Sequence, residues 1–138
     1  MKAVFADSDY WIAIARPNDQ WAAIAKKAKE SLGEVFIITT DEVLAEFLAA
    51  LSKGGEKIRK QVVKMVKAIL ENPNIRVFPQ TRDSFLKGLK FYEDRADKEY
   101  SLTDCISMNV MKSESLVDIL THDHHFEQEA FNILMRKS

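Results

Sequence analysis

Little in this chain is in excess. It has one cysteine, Cys105, so no internal disulfide can form and a thiolate zinc site has no second sulfur. Neither sign of charge dominates: 20 lysines and arginines stand against 21 acids, a formal net charge of −1, so nucleic-acid binding would have to come from a local patch. No apolar run reaches transmembrane length and the first residues lack the basic-then-apolar layout of a signal peptide, so a cytoplasmic protein with no membrane partner is expected. Internal repeats, low-complexity segments and linkers are missing too. What remains is 138 residues at 46% hydrophobic content, enough core for one globular domain over residues 1–138 and too little for two.

Apolar runs bounded by turn formers set out the elements. Residues 3–6 read as a buried strand that ends on Asp7-Ser8-Asp9. A helix over residues 10–15 is broken at Arg16-Pro17; Asn18 or Asp19 caps a second helix running to Lys29, and Gly33 stops it. Residues 35–38 form the second strand. Thr39 and Glu42 then make a capping box for a helix running to Ser52. On it Val43, Leu44, Phe47, Leu48 and Leu51 form the core stripe, and Glu46 lies off that stripe beside Glu42, Ala49 and Ala50.

After Gly54-Gly55, a helix over residues 56–71 turns Ile58, Val62, Met65, Val66 and Ile69 inward and Lys57, Lys60, Lys64 and Lys67 outward, until Asn72-Pro73 ends it. Residues 75–78 form the third strand and 82–94 the next helix. Thr103 caps a helix running to Lys112, with Asp104 and a buried Cys105 in its first turn. Residues 116–121 are the fourth strand, 126–130 a short helix, and 133–135 an edge strand. Strands alternating with helices indicate an α/β fold, a three-layer sandwich with a central parallel sheet of about five strands.

In such a sheet the carboxyl ends of the strands share one edge. Asp7, Glu46, Asp104 and Asp123 each fall near such an end or in the helix that follows one, so distant carboxylates can converge there. Like charges brought together raise their own pKa values unless a cation intervenes. Mg²⁺ or Mn²⁺ suits oxygen ligands, keeps several waters, and can activate one of them against a phosphodiester.

The segments Val4-Phe5-Ala6-Asp7-Ser8, Val43-Leu44-Ala45-Glu46, Ser101-Leu102-Thr103-Asp104-Cys105-Ile106-Ser107 and Leu120-Thr121-His122-Asp123-His124-His125-Phe126 resemble the four acidic motifs of the PIN-domain family, most of all its VapC-type toxin branch. The order matches and nearly the whole chain is covered; the third and fourth motifs are the specific ones. The resemblance implies a metal-dependent endoribonuclease in which Asp7, Glu46, Asp104 and Asp123 are the catalytic and metal-ligating acids, with Ser8 or Thr103 as a hydroxyl neighbour. It further implies RNA as substrate, a homodimer, and a small antitoxin that occupies the groove. One departure is Glu129-Ala130-Phe131, where relatives commonly place glycine before the aromatic residue; Asp9 lies outside the usual set.

Rival readings attach to several of these residues. Glu42, one turn before Glu46, is not separated from it by spacing, and the motif favours Glu46. Asp123 can cap the last helix as well as bind metal, whereas Asp118 reads as a solvent-facing or edge acid. His122, His124 and His125 are the only histidines; a zinc site would need further nitrogen or sulfur ligands, so His122 or His124 bordering an RNA groove is the better reading. The lysine stripe is a solvated face or tracks RNA, and Trp11, Trp21 and Phe91 belong to the core or a dimer surface. Asp7-Ser8-Asp9 also resembles the opening of a haloacid-dehalogenase-type phosphatase, which asks for an acidic pair at the fourth strand. A non-catalytic module of PIN fold that binds RNA or a partner is the other alternative.

Overall fold

Val4, Phe5 and Ala6 are wholly buried without alternation, because the strand they occupy is covered on both faces. That strand is β1 (Lys2–Ala6). In the computed structural model, which describes residues 1–137, it pairs in parallel with β2 (Val35–Thr40) and β4 (Asp118–Leu120), while β3 (Ile75–Phe78) and β5 (Asn132–Ile133) form the edges. The order is β3-β2-β1-β4-β5. The chain steps outward from β1 to β3, then returns to the other side of β1.

Among the described residues six α-helices flank this sheet: α1 (Ser8–Ala15), α2 (Ala22–Ser31), α3 (Asp41–Ala50), α4 (Glu56–Glu71), α5 (Arg82–Asp94) and α6 (Leu102–Ser113). Right-handed crossovers place helices on opposite faces when the direction of travel reverses. Accordingly α2 and α3 both pack on α1, α4 packs on α3, and α5 packs on α6. Gly88 lets that second pair close up, since a Cβ there would lie 2.5 Å from Cγ1 of Ile106. The reversal sets the carboxyl ends of β1 and β4 side by side, with the amide of Asp7 bonded to the carbonyl of Leu120 at 3.2 Å. Open α/β sheets leave a crevice at such a point.

The expected elements all form, with corrections at their ends. β2 runs on through Thr40, so Thr39 is still in the sheet, where its hydroxyl donates to the Ala6 carbonyl at 2.8 Å. Thr40 caps α3 instead, accepting from the Val43 amide at 3.0 Å, and no Thr39–Glu42 capping box exists. Asp19 does not cap a helix directly; its carboxylate accepts from the Trp21 amide at 2.7 Å in a tight turn, and α2 begins at Ala22. Gly33, with φ +69°, ends α2 as expected.

Ser101, not Thr103, caps α6, in a reciprocal box with Asp104. Between Lys112 and β4 the chain spends Ser115 on a left-handed turn, which shortens the fourth strand to three residues. The short helix is a 3-10 turn over His124–Glu129, and the edge strand is Asn132–Ile133.

The core stripes are narrower than their periodicity suggests. Leu48 and Ile58 remain 36% and 37% exposed, because α3 and α4 touch their neighbours through Val43, Leu44, Phe47, Leu51, Val62 and Ile69. Phe47 is fully buried at the centre, a position where truncation to alanine costs about 3–5 kcal/mol. Trp11 belongs to the core and Cys105 is buried and unbridged, whereas Trp21 and Phe91 are half-buried. Lys57, Lys60, Lys64 and Lys67 all face solvent. Among the described residues no helix is long and apolar enough to cross a membrane.

Candidate metal centre

Asp7 follows β1 directly and has extended backbone as the residue before α1, so its side chain enters the crevice at the sheet reversal. It is 3% exposed. Its Oδ2 accepts from the Thr121 hydroxyl at 2.9 Å, while its buried Oδ1 makes no hydrogen bond among the described residues. Burial pushes its carboxyl well above the usual range, and the charges of Asp9, Asp104 and Glu46 push it further.

The other acids arrive from three directions. Glu46, half-buried on α3, accepts from the Ser8 hydroxyl at 2.6 Å, which ties it to the residue after Asp7. Glu42 instead lines a separate cleft of about 330 Å³ with Thr40, Phe78, Thr81 and Ile106. Asp104 is held by the Ser101 box, its Oδ2 accepting from the Ser101 amide at 3.1 Å. Burial drives its carboxyl up to about 6, and Asp123 and Glu46 add to the rise while the Ser101 amide opposes it. Asp123 opens the 3-10 turn, accepting from the His125 amide at 2.9 Å. It therefore caps and still faces Asp104.

The structure brings Asp7, Glu46, Asp104 and Asp123 to one place, with Ser8 among them. Thr103 lies half-buried in the first turn of α6 without the capping role expected of it. His122 borders the group: its Nε2 is 3.4 Å from Asp9 Oδ2 and its ring stacks on Trp21 at 4.2 Å. His124 is exposed and faces Glu127. Asp118 sits at the amino end of β4, paired with Lys2 and accepting from Asn132. It is at the wrong end of the strand to join the pocket.

Three participants were missed in the sequence. Asp9, set aside as outside the motif, comes within 2.9 Å of the Thr121 hydroxyl through its Oδ2. Thr121 is that hydroxyl, fully buried at the end of β4, and it also accepts from the Asp123 amide at 3.1 Å. His125 was treated with its neighbours, yet its Nδ1 lies 3.2 Å from Asp123 Oδ1 and 3.9 Å from Asp104 Oδ2. The first two had a signal, an acid two residues after Asp7 and a hydroxyl two residues before Asp123. His125 reaches the pocket only because the 3-10 turn folds it back.

This donor set fits a divalent cation. A hydroxyl has one proton, so Thr121 can donate to Asp7 or to Asp9 but not to both at once. Carboxylates that repel one another, with buried Asp7 Oδ1 and His125 Nδ1 left without hydrogen bonds, are groups a cation would satisfy. Carboxylate oxygens from Asp104 and Asp123 and a nitrogen of His125 all lie within 4.8 Å of one another.

A parallel sheet of this order with an acid-lined crevice at its reversal defines an α/β domain with a carboxylate pocket. The chain belongs to the PIN-domain family, whose model matches residues 4–132. Its fold is similar to that of VapC20 from Mycobacterium tuberculosis, a sarcin-ricin loop cleaving toxin, with a TM-score of 0.82 at 22% identity over 94% of this chain and 96% of that one. FitAcB from Neisseria gonorrhoeae is a more distant likeness, with a TM-score of 0.61 at 16% identity over the same shares, 94% and 96%. No curated protein sequence matches the chain. At these identities the likeness is one of fold.

Proposed function

We propose that this PIN domain is an endoribonuclease that works with Mg²⁺ or Mn²⁺ and is the toxin of a toxin–antitoxin pair. The observation that carries this reading is the convergence of Asp7, Glu46, Asp104 and Asp123 in one partly buried pocket, where two of them hold their protons too tightly for a resting surface acid. Asp7, Asp104 and Asp123 would hold the ion. When bound, Mg²⁺ or Mn²⁺ activates water and stabilises the leaving oxygen in an in-line attack on a phosphodiester. Glu46, fixed by the Ser8 hydroxyl, completes the ligand shell or orients the attacking water. Cleavage leaves a 3′-hydroxyl and a 5′-phosphate.

His122 flanks the acids on the Trp21 side, and in this reading it contacts a phosphate of the RNA. The chain acts as a cytoplasmic homodimer, and a small antitoxin silences it by filling the same groove. The fold shared with a sarcin-ricin loop cleaving toxin supports a structured RNA as the target class. The phosphatase reading loses ground because Asp118, needed near Asp123, is held by Lys2 at the opposite end of β4.

Mapping new 5′-phosphate ends across the transcriptome after brief induction of the wild type and of Asp104→Asn tests the proposal. Discrete cuts are expected from the wild type alone. Identical maps, with both proteins folded and the wild type binding Mn²⁺, would overturn it and bring the binding-module reading forward.

A further inference from the structure

His125 stands apart from the other two histidines. Its Nδ1 is buried and makes no hydrogen bond among the described residues, although Asp123 Oδ1 is only 3.2 Å away and Asp104 Oδ2 is 3.9 Å away. The nitrogen is thus within reach of two carboxylates and hydrogen-bonded to neither. An imidazole nitrogen buried between two carboxylates without a hydrogen bond is arranged as a ligand would be.

The ring is also held from behind. Tyr100 meets it edge to face at 5.7 Å, and the Tyr100 hydroxyl donates to Glu129 Oε2 at 2.9 Å. Glu129 is itself clamped by Arg95 at 2.9 and 3.1 Å and by Lys112 at 3.3 Å, with its side chain only 8% exposed. Phe91 stacks on Tyr100 at 6.4 Å. This wall explains what buried Glu129 does: it fixes Tyr100, and Tyr100 fixes the plane of His125. Supporting residues of this kind orient metal ligands.

We propose that Nδ1 of His125 is a direct ligand of the ion held by Asp104 and Asp123, and that this nitrogen makes the pocket prefer Mn²⁺ to Mg²⁺. The inference rests on the pocket being a metal site. Its chemistry is simple. Mg²⁺ takes oxygen ligands almost exclusively, whereas imidazole suits first-row transition ions, so replacing one oxygen by nitrogen tilts the selection.

The test is pulsed EPR on the full chain loaded with Mn²⁺ alone, together with calorimetric titration by Mn²⁺ and by Mg²⁺. The wild type should show a directly bound ¹⁴N. The signal should vanish in His125→Gln and persist in a His122→Ala/His124→Ala variant. His125→Gln should bind Mn²⁺ on the order of tenfold more weakly while its Mg²⁺ affinity stays within about twofold. His125 has a side chain 32% exposed, so the glutamine variant is expected to fold. An oxygen-only Mn²⁺ centre in the wild type, or a ¹⁴N signal that survives in His125→Gln, overturns the proposal and leaves the nuclease reading standing. Failure of the wild type to bind either ion overturns both.

Discussion

Thr121 and Asp7, 114 positions apart in the chain, meet through a 2.9 Å hydrogen bond at the point where the sheet reverses. The same hydroxyl reaches Asp9 Oδ2 at 2.9 Å and accepts from the Asp123 amide at 3.1 Å. One small side chain thus links three acids from the ends of two strands. Threonine suits the position because the pocket needs a donor there and the buried end of β4 needs a β-branched residue.

Thr121→Val keeps the shape and removes the donor. Asp7 Oδ2 is then left buried beside an apolar methyl, and the metal-free protein should lose about 1–3 kcal/mol of stability in urea titration. Mn²⁺ affinity should fall as well, since Asp7 and Asp123 lose their common anchor. A variant with the wild-type denaturation midpoint and wild-type Mn²⁺ affinity would contradict this role.

Glu46 and Glu42 share a helix but not a destination. Glu46 is bonded to Ser8 beside Asp7, and Glu42 lines a cleft with Phe78 and Ile106. Glu46→Gln should therefore lower the rate of RNA cleavage about 10²-fold, the usual scale for losing a positioned carboxylate, while Glu42→Gln stays within about threefold. Equal losses in the two variants would show that the second acidic motif has been placed on the wrong glutamate.

Ala130 ends the 3-10 turn at φ +67° and ψ +22°, a left-handed conformation in which its Cβ crowds the following carbonyl. This is the position where relatives commonly carry glycine. Ala130→Gly should stabilise the protein by about 1 kcal/mol and raise its Tm by roughly 3 °C in a thermal melt. A drop in Tm would mean that the alanine methyl makes contacts worth more than the strain.

Much of the architecture could be read from the chain before its structure, and the limits have physical reasons. Apolar runs such as Val4-Phe5-Ala6 and Ile37-Ile38 report burial on both faces wherever they occur, so the strands and their parallel pairing were legible, though not their order in the sheet. Helix ends were less so. Thr39 and Thr40 have equal capping chemistry, and only the pairing of β2 with β1 decides that Thr39 bonds Ala6 and Thr40 caps. Ser101 and Thr103 pose the same ambiguity at α6. The placing of the acids was legible because each lies near the end of a strand or in the helix that follows one. His125 was not, since its position depends on a 3-10 turn and on a wall built from Glu129 at the end of that turn and from Arg95 and Tyr100 in the loop before α6.

The acids that mark the pocket also set how stability responds to pH. Asp104 has its pKa raised from 3.8 to about 6 by burial, and Asp7 is raised in the same direction. The folded state therefore binds more protons than the unfolded chain between those values, and stability falls as pH rises through that window. Glu129 does the opposite. Its hydrogen bonds from Arg95 pull it from 4.5 down to about 2, so its contribution is present above pH 4.5 and is lost as pH falls through the range below. The metal-free protein should be most stable near pH 4.5 and weaken by on the order of 2 kcal/mol by pH 7. Asp104→Asn should flatten the upper limb and leave the acid limb alone. Saturating Mn²⁺ should reverse the upper limb, because the ion binds only the deprotonated carboxylates and stabilises the state that holds them. Urea titrations from pH 3 to pH 8 measure all three. If metal-free wild type and Asp104→Asn both gain stability between pH 5 and pH 7, neither burial nor mutual repulsion raises these carboxyls in the folded pocket, and the case for a cation there loses its electrostatic basis.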